Sequence, residues 1–331
     1  MAALHRTTAS RLFLCLGLLL PLSILLAVSL GAVSIASGDS IATVIITQIR
    51  LPRVLLAGMV GAILAASGAA MQGLFRNPLA DPSLIGVTAG ASLGASIVIV
   101  SVTSLGSGLL GLGLVSAGAF GGGLVAVIVV YRLATSASGT SVATMLLAGI
   151  AITALAGAIG NMLELYASND MLRRISLWRM GGLDGADYTR VTVAAVISVL
   201  MLVTLPKFSA ALDALPLGES EARYLGIDVT RTTRRLIVIV AIGVGACVAL
   251  AGTIAFVGLV VPHIVRMLIG PAHGPLLRGS ALAGAVLLIL ADLLARIAIA
   301  PTELPVGVVT ALIGVPFFVL LLRQRGHYGM S

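Results

Sequence analysis

The sequence predicts an all-α polytopic membrane protein with about ten transmembrane helices. Of its 331 residues, 59% are hydrophobic and only 10% are charged, and the mean hydropathy is +1.16. A soluble domain could not bury so much apolar surface, and windows of about 20 apolar residues recur between charged or proline-rich breaks. The 39 glycines and the 4% aromatic content indicate close helix packing through small residues. We treat 1–331 as a single transmembrane domain.

Ten apolar windows define the predicted spans. Arg6 and Arg11 precede the first one, which is longer than the core of a signal peptide, so we predict a retained first helix. The predicted spans are 12–33, 50–74, 83–102, 108–131, 142–166, 188–206, 235–251, 254–270, 279–298 and 305–322.

The region from 48 to 94 organises the rest of the chain. Arg50, Pro52 and Arg53 open the second span, and the break at 76–82 contains two prolines, a cation and an anion. Such a break should lie outside the hydrocarbon or line a polar cavity. Small residues recur every fourth position on several spans, which predicts grooves where another helix backbone can approach closely. These sets are Gly61, Ala65 and Ala69; Gly86, Gly90 and Gly94; and Gly118 and Gly122.

The distribution of cations predicts the orientation. With the N-terminus inside, the even number of spans also puts the C-terminus inside, and 13 of the 20 Lys and Arg residues then face the cytoplasm. The remaining cations are exceptions that need an explanation. They are Arg50, Arg53, Arg173, Arg174, Arg179, Arg190 and Arg296.

Two polar segments interrupt the spans. The cytoplasmic segment 207–235 contains a short amphipathic helix signal, with Glu219 and Arg223 spaced i,i+4 and Gly226 at its end. It is either a solvated connector or a docking element for another subunit. The outer segment 167–187 carries Trp178, an expected interfacial anchor.

Several outer charges allow more than one interpretation. Arg173, Arg174 and Arg179 either anchor lipid headgroups or line an outward-facing site for an anionic ligand. Asp292 and Arg296 lie one helical turn apart, and an ion pair there would limit the cost of a charge inside the membrane.

The sequence excludes several kinds of chemistry. The lone lysine, Lys207, follows Pro206 rather than a glycine, so no P-loop exists. No His, Cys, Asp or Glu cluster has metal-ligand spacing, and no basic run with interleaved aromatics suggests nucleic-acid binding. We therefore predict a conduit that is not an enzyme and has no bound metal or permanent cofactor.

Six motifs together resemble the permease subunits of type II ATP-binding-cassette importers for iron siderophores, haem and cobalamin. They keep the order and spacing of that family from about residue 48 to 322. The motifs are Arg50-Leu51-Pro52-Arg53; Ser67 to Gly73 leading into Arg76 to Pro82; Gly218-Glu219 to Gly226; Gly258 to His263; Ala291-Asp292 to Arg296; and Glu303 to Gly307.

The resemblance implies the type II importer permease fold, a second copy of the chain, two cytoplasmic ATPase subunits that use ATP and Mg, and an extracytoplasmic binding protein. Alternating access would move the cargo through a multi-pass protein of the bacterial cytoplasmic (inner) membrane. The resemblance assigns docking of the binding protein to Arg50, Arg53 and Arg296, and ATPase coupling to Leu217, Gly218, Glu219, Ala222, Arg223, Leu225 and Gly226.

The cargo stays open among haem, a ferric siderophore and cobalamin. The resemblance is strongest to haem permeases, and outer arginines could meet haem carboxylates while methionine and tyrosine contact the porphyrin. An ion-coupled secondary transporter and a gated channel are the rival classes. The predicted path residues are Met162, Tyr166, Arg173, Arg174, Arg179 and Met180.

Overall fold

The computed structural model describes residues 2–31, 40–102, 109–136 and 139–328, and most of them are helical. Within this part, seven helices are long and apolar enough to cross a membrane and three more are apolar but shorter. Each of the ten predicted spans coincides with one of these helices, which confirms the fold class; residues 32–33 and 108 of the predicted spans lie outside the described part. In chain order the helices are α1 Ala2–Ser29, α2 Ser40–Val44, α3 Leu51–Leu74, α4 Val87–Ser101, α5 Leu109–Ala134, α6 Val142–Leu165, α7 Asn169–Met180, α8 Tyr188–Thr204, α9 Ser209–Ala214, α10 Glu219–Tyr224, α11 Val229–Ala251, α12 Val257–Ile269, α13 His273–Ile297 and α14 Val306–Tyr328.

Short irregular elements join these helices. A π-helical turn, Ile45–Arg50, leads directly into α3, and a two-residue antiparallel ladder follows α5. In this ladder, β1 (Thr135–Ser136) pairs with β2 (Gly139–Thr140). The 3₁₀ turns are Pro82–Ile85, Leu205–Phe208 and Leu215–Leu217.

Helix α3 forms the centre of the bundle. It is buried along most of its length and packs against α1, α8, α11, α12 and α13. At Gly61 a Cβ atom would overlap the carbonyl oxygen of Gly284, and at Gly68 it would overlap that of Gly258. The contacts of α3 with α13 and α12 therefore require glycine. The small-residue pattern predicts the one at Gly61 but does not include Gly68.

Helices α4 and α5 pack in the same way. A Cβ atom at Gly90 would overlap the carbonyl oxygen of Gly122, and one at Gly94 would overlap that of Gly118. The predicted glycine grooves therefore face each other, and the two backbones come into direct contact.

Helices α4 and α12 are too short to cross a bilayer. They have 15 and 13 residues, or about 22 and 20 Å at 1.5 Å per residue, against a hydrocarbon core of about 30 Å. Each follows a break in the α-helical chain. The break before α4 lies against the start of α12, since a Cβ on Gly258 would lie 3.2 Å from the Asp81 carboxylate. A cavity of about 220 Å³ opens there, lined by Asp81, Leu64 and Thr253 among others. The segment after α3 therefore lies close to Leu64, in the middle of α3, and lines a cavity there.

Two segments are more helical than predicted. Helix α11 begins at Val229 rather than near 235, because Asp228 caps it by accepting a hydrogen bond from the Arg231 backbone N–H at 2.9 Å. The outer segment forms α7, which begins after the capping residue Ser168 and ends at Gly181, whose φ is +71°.

Candidate functional site

A buried charge cluster, which we name the outer charge cluster after its predicted side of the membrane, lies at the end of the bundle where α3 begins and α13 ends. Helix α3 supplies Arg53, and α13 supplies Asp292 and Arg296. Arg53 Nε lies 2.9 Å from Asp292 Oδ1, and Arg296 Nε lies 3.1 Å from Asp292 Oδ2. Arg53 Nη1 also donates a hydrogen bond to Glu303 Oε2 at 2.7 Å. Asp292 therefore forms ion pairs with two arginines at once, and the i,i+4 ion pair predicted on α13 is present.

The cluster also holds the end of α1. Arg50 Nη1 donates hydrogen bonds to the carbonyl oxygens of Val28 and Ser29, at 3.0 and 2.8 Å, and Arg296 Nη2 donates to that of Ala27 at 2.8 Å. These carbonyls have no partner within the helix, and cations at a helix C-terminus are favourable. Two of the three arginines predicted to dock a partner thus cap α1.

The members of this cluster differ in their exposure to solvent. Arg50, Arg53 and Arg296 are only 5%, 8% and 3% exposed, whereas the Glu303 side chain is 39% exposed. An approaching protein would therefore meet Glu303 before it met the arginines. The motif that ends at Gly307 includes Glu303, yet nothing in the sequence pattern links it to Arg53, 250 residues away.

Helix α7 is fixed to the bundle mainly through Arg179. Its Nη1 lies 2.6 Å from Glu164 Oε1 at the end of α6, and its Nε donates to Ser92 Oγ on α4 at 3.1 Å. Its carbonyl oxygen accepts a hydrogen bond from the Thr253 hydroxyl in the break before α12. Arg179 therefore connects four elements, and sequence reasoning found neither Ser92 nor Glu164 as its partner.

The six predicted path residues do not converge on one site. Arg179 and Met180 line a cavity of about 490 Å³ beside α14. Arg174 lies on a different cavity of about 290 Å³, near Trp178. The rest are exposed: Met162 by 62% and Tyr166 by 83% on α6, and Arg173 on the surface of α7.

The segment 207–235, predicted to be cytoplasmic, presents an apolar surface. Leu217 and Leu225 are each 64% exposed and Tyr224 is 91% exposed, whereas Ala222 is fully buried. Glycines with positive φ bracket α10, at +128° for Gly218 and +83° for Gly226. A six-residue helix is unstable alone, so its flanking turns and Ala222 must hold it.

Two charged contacts tie this segment to the bundle. Glu219 lies 3.5 Å from Arg76 in the break after α3 and 3.7 Å from Arg223, as the i,i+4 spacing predicts. Asp213 on α9 accepts a hydrogen bond from the His273 backbone N–H at 2.8 Å, and its carboxylate lies 2.7 Å from His273 Nδ1. His273 begins α13, whose other end carries Asp292 and Arg296. One helix therefore connects the cytoplasmic segment with the outer charge cluster.

Comparisons with known proteins give a consistent result. The sequence profile of the FecCD transport family matches residues 13–324. The chain is 45% identical over 323 residues to the hemin transport system permease protein of Yersinia pestis, covering 94% of this chain and 96% of that protein. It is 44% identical over 286 residues to the cobalamin import system permease protein of Halobacterium salinarum, covering 86% and 74%. A solved inward-facing conformation of a metal-chelate type ABC transporter matches with a TM-score of 0.86 and 31% identity, over 95% of this chain and 99% of that one.

Proposed function

This chain belongs to the FecCD transport family, and we propose that it is the permease subunit of an ABC importer that moves haem, or another iron chelate, into the bacterial cytoplasm. The single observation that carries the proposal is the 45% identity with a hemin permease over 94% of the chain. The chain spans the inner membrane with both termini in the cytoplasm. It performs no covalent chemistry, binds no cofactor permanently, and partner ATPase subunits hydrolyse ATP with Mg.

The outer charge cluster is the proposed dock for the substrate-binding protein. Three arginines and two carboxylates leave one net positive charge, which favours an acidic partner. Because Glu303 is the exposed member of the cluster, a carboxylate of the binding protein reaches Arg53 by competing with Glu303. Asp292 is buried whereas the Glu303 side chain is 39% exposed and water can replace its contact, so Glu303 is the partner of Arg53 most easily exchanged on docking.

The cytoplasmic segment is the proposed contact with the ATPase subunits. Leu217, Tyr224 and Leu225 offer exposed apolar area of the kind that protein interfaces bury. Closure of the ATPase pair would move α10, and the Asp213–His273 contact would pass that movement to α13. Alternating access then opens the path to the cytoplasm.

The proposed path lies between this chain and a second copy. Helices α6 and α14 expose large apolar side chains along their lengths, including Leu147, Ile150, Leu155 and Leu312. The cavity at Arg179 and Met180 lies beside α14. Among the outer arginines on α7, Arg173 has no side-chain partner within the described residues, which makes it the best candidate for a cargo carboxylate.

A cobalamin permease is the second candidate, favoured by the 44% identity with the cobalamin permease of Halobacterium salinarum. A ferric siderophore is a third cargo of the same chemical kind. An ion-coupled transporter or a channel would need neither the outer cluster nor the exposed apolar residues around α10.

Uptake into proteoliposomes tests the proposal. The vesicles contain this chain with its genetically linked ATPase and binding protein, and they are offered haem, a ferric siderophore and cobalamin in parallel. ATP-dependent uptake of haem alone supports both the class and the cargo. Uptake of cobalamin or the siderophore alone changes the cargo, and uptake without ATP or the binding protein contradicts the ABC importer.

The substitution Arg173→Gln tests the proposed path of the cargo. We expect slower haem uptake with unchanged ATP hydrolysis, because a cargo contact is lost and the coupling contacts are intact. The matched control is Arg174→Gln on the same helix, since Arg174 forms an ion pair with Asp170 at 2.9 Å and lines the cavity near Trp178 rather than the one at Arg179 and Met180. Equal effects of the two substitutions would contradict a specific role for Arg173.

A further inference from the structure

A groove lined by four cations lies between the end of α8 and the start of α11. Its cavity has a volume of about 670 Å³. By the proposed orientation this end of the bundle faces the cytoplasm. The groove is lined by Thr204, Lys207, Phe208, Arg231, Arg234, Arg235, Val238 and Ile239.

The cations of α11 share one helix face. Arg231, Arg234, Arg235 and Val238 are spaced i, i+3, i+4 and i+7, so they follow one another along the same stripe. All three arginines are exposed, and Val238 is 50% exposed. The stripe therefore changes from charged to apolar as α11 enters the membrane.

Helix α8, on the other side of the groove, shows the same change from charged to apolar side chains. Lys207 is exposed and lies beyond the end of the helix, at the level of the α11 cations. Leu200, one turn before Thr204, is 48% exposed, and Val203 is 55% exposed. Both walls thus place cations at the membrane surface and apolar side chains beneath them.

The positive charge of the groove is largely uncompensated. Arg231 forms an exposed pair with Asp228, with Nε 3.3 Å from Oδ2. The side chains of Lys207, Arg234 and Arg235 have no hydrogen bond or ion pair to any residue that the structure describes. Three cations around one apolar floor will attract an anion that also carries hydrocarbon.

We propose that this groove binds an anionic phospholipid of the cytoplasmic leaflet. Its phosphate accepts hydrogen bonds from Arg234, Arg235 and Lys207, and its acyl chains lie along Leu200 and Val238. Three unpaired cations exceed the charge of a single phosphate, so cardiolipin, which has two, binds more tightly than phosphatidylglycerol. The inference rests on the proposed orientation of the chain and not on the identity of its cargo.

The surroundings of the groove favour a lipid over an ATPase subunit. The proposed ATPase contact uses α10, and the cavity beside it, lined by Arg76, Glu219 and Thr233 among others, shares no residue with the groove. Thr233 is buried, so it points away from the exposed face of Arg234. Below the groove α8 exposes aliphatic side chains over several turns, including Val193, Val196 and Val199, whereas α11 exposes Val238 and is mostly buried beyond it. A continuous aliphatic face such as that of α8 is one that lipid covers.

Native mass spectrometry of the detergent-purified permease–ATPase complex tests the proposal. Cardiolipin, phosphatidylglycerol and phosphatidylcholine are titrated separately, without cargo or ATP. We expect one anionic lipid per chain to be retained. Two cations at a membrane surface are worth a factor of about ten to thirty in affinity, so Arg234→Gln with Arg235→Gln should weaken retention by that factor.

The matched control is Arg132→Gln with Arg278→Gln. Both arginines are exposed and lie at the same end of the bundle, but outside the groove. This variant removes the same charge and should retain the lipid as the wild type does. Equal loss in both variants, or equal retention of phosphatidylcholine by the wild type, would overturn the proposal.

Two further outcomes would overturn the proposal in other ways. Displacement of the lipid by excess inorganic phosphate would mean that the groove takes a free anion. Release of the ATPase subunits from the Arg234→Gln/Arg235→Gln variant, with lipid retention unchanged, would assign the groove to the ATPase. The uptake assay is independent of these results, so a wrong cargo would leave the lipid result standing.

Discussion

The cations at the two ends of the molecule are used in opposite ways. Outer Arg50, Arg53 and Arg296 are at most 8% exposed, and each has a partner within the chain. Inner Arg234 and Arg235 are exposed, with no side-chain partner in the described residues. This comparison explains three of the seven arginines predicted on the outer side, since carboxylates and helix-end carbonyls compensate Arg50, Arg53 and Arg296. Burial and pairing, rather than the number of charges, distinguish a structural cation from one available to a ligand.

Removing the shared carboxylate of the outer cluster should have the largest effect. Asp292→Asn leaves Arg53 and Arg296 buried, with the half-exposed Glu303 as the remaining acid nearby. Breaking a buried ion pair from one side costs about 3–5 kcal/mol. The free energy of unfolding, measured by SDS titration in mixed micelles, should fall by about that amount.

An aspartate-to-asparagine substitution at the opposite end of the bundle provides the control for Asp292→Asn. Asp228 pairs with Arg231, and both side chains are more than half exposed, by 57% and 71%. Asp228→Asn should change the free energy of unfolding by less than about 1 kcal/mol. A similar loss in the two variants would mean that burial does not distinguish the two ends.

Removing the cap of α1 should have an intermediate effect. Arg50→Gln deletes charged hydrogen bonds to the carbonyl oxygens of Val28 and Ser29. Hydrogen bonds from charged groups are worth about 1.5–3 kcal/mol, so the unfolding free energy should fall by roughly that much. Arg234→Gln is the control at the exposed end and should leave it unchanged. Hydrogen exchange in the last turn of α1 should accelerate only in Arg50→Gln, and no acceleration there would argue against the cap.

The sequence was sufficient to predict the ten membrane helices but only part of the site. Hydropathy located all ten spans, and four-residue spacing identified the glycine contacts and the Asp292–Arg296 pair. These signals are local, so one helix is enough to reveal them. Spacing also predicted the pair of Glu219 and Arg223.

Contacts between distant parts of the chain could not be predicted in this way. Arg53 meets Asp292 across 239 residues, and Arg179 meets Ser92 across 87. Only packing decides which faces of two helices meet. The early start of α11 was missed for a different reason. Its first turns carry arginines, so hydropathy placed them in a loop although Asp228 is a strong N-cap signal.

Neutralising Glu303 should separate docking from stability. Because this side chain is 39% exposed and a glutamine amide oxygen can still accept the hydrogen bond of Arg53, Glu303→Gln should cost less unfolding free energy than Asp292→Asn or Arg50→Gln. It also removes the competitor for Arg53, so an acidic binding protein should dock several-fold more tightly at low salt. Surface plasmon resonance at two salt concentrations measures this. Weaker docking would mean that Glu303 itself contacts the partner.

The smallest effect on stability should come from Glu219→Gln. Glu219 pairs with Arg76 and Arg223, and all three side chains are 38–59% exposed, so the unfolding free energy should change by less than about 0.5 kcal/mol. Glu219 nevertheless connects α10 with the break after α3. Cargo taken up per ATP hydrolysed should therefore fall although the complex stays assembled. Glu221→Gln is the control, since Glu221 lies on the same helix and contacts only its neighbour Ser220 among the described side chains. If both variants keep wild-type coupling, the ion pairs of Glu219 are no more than surface contacts, and Leu217, Tyr224 and Leu225 alone must carry the movement.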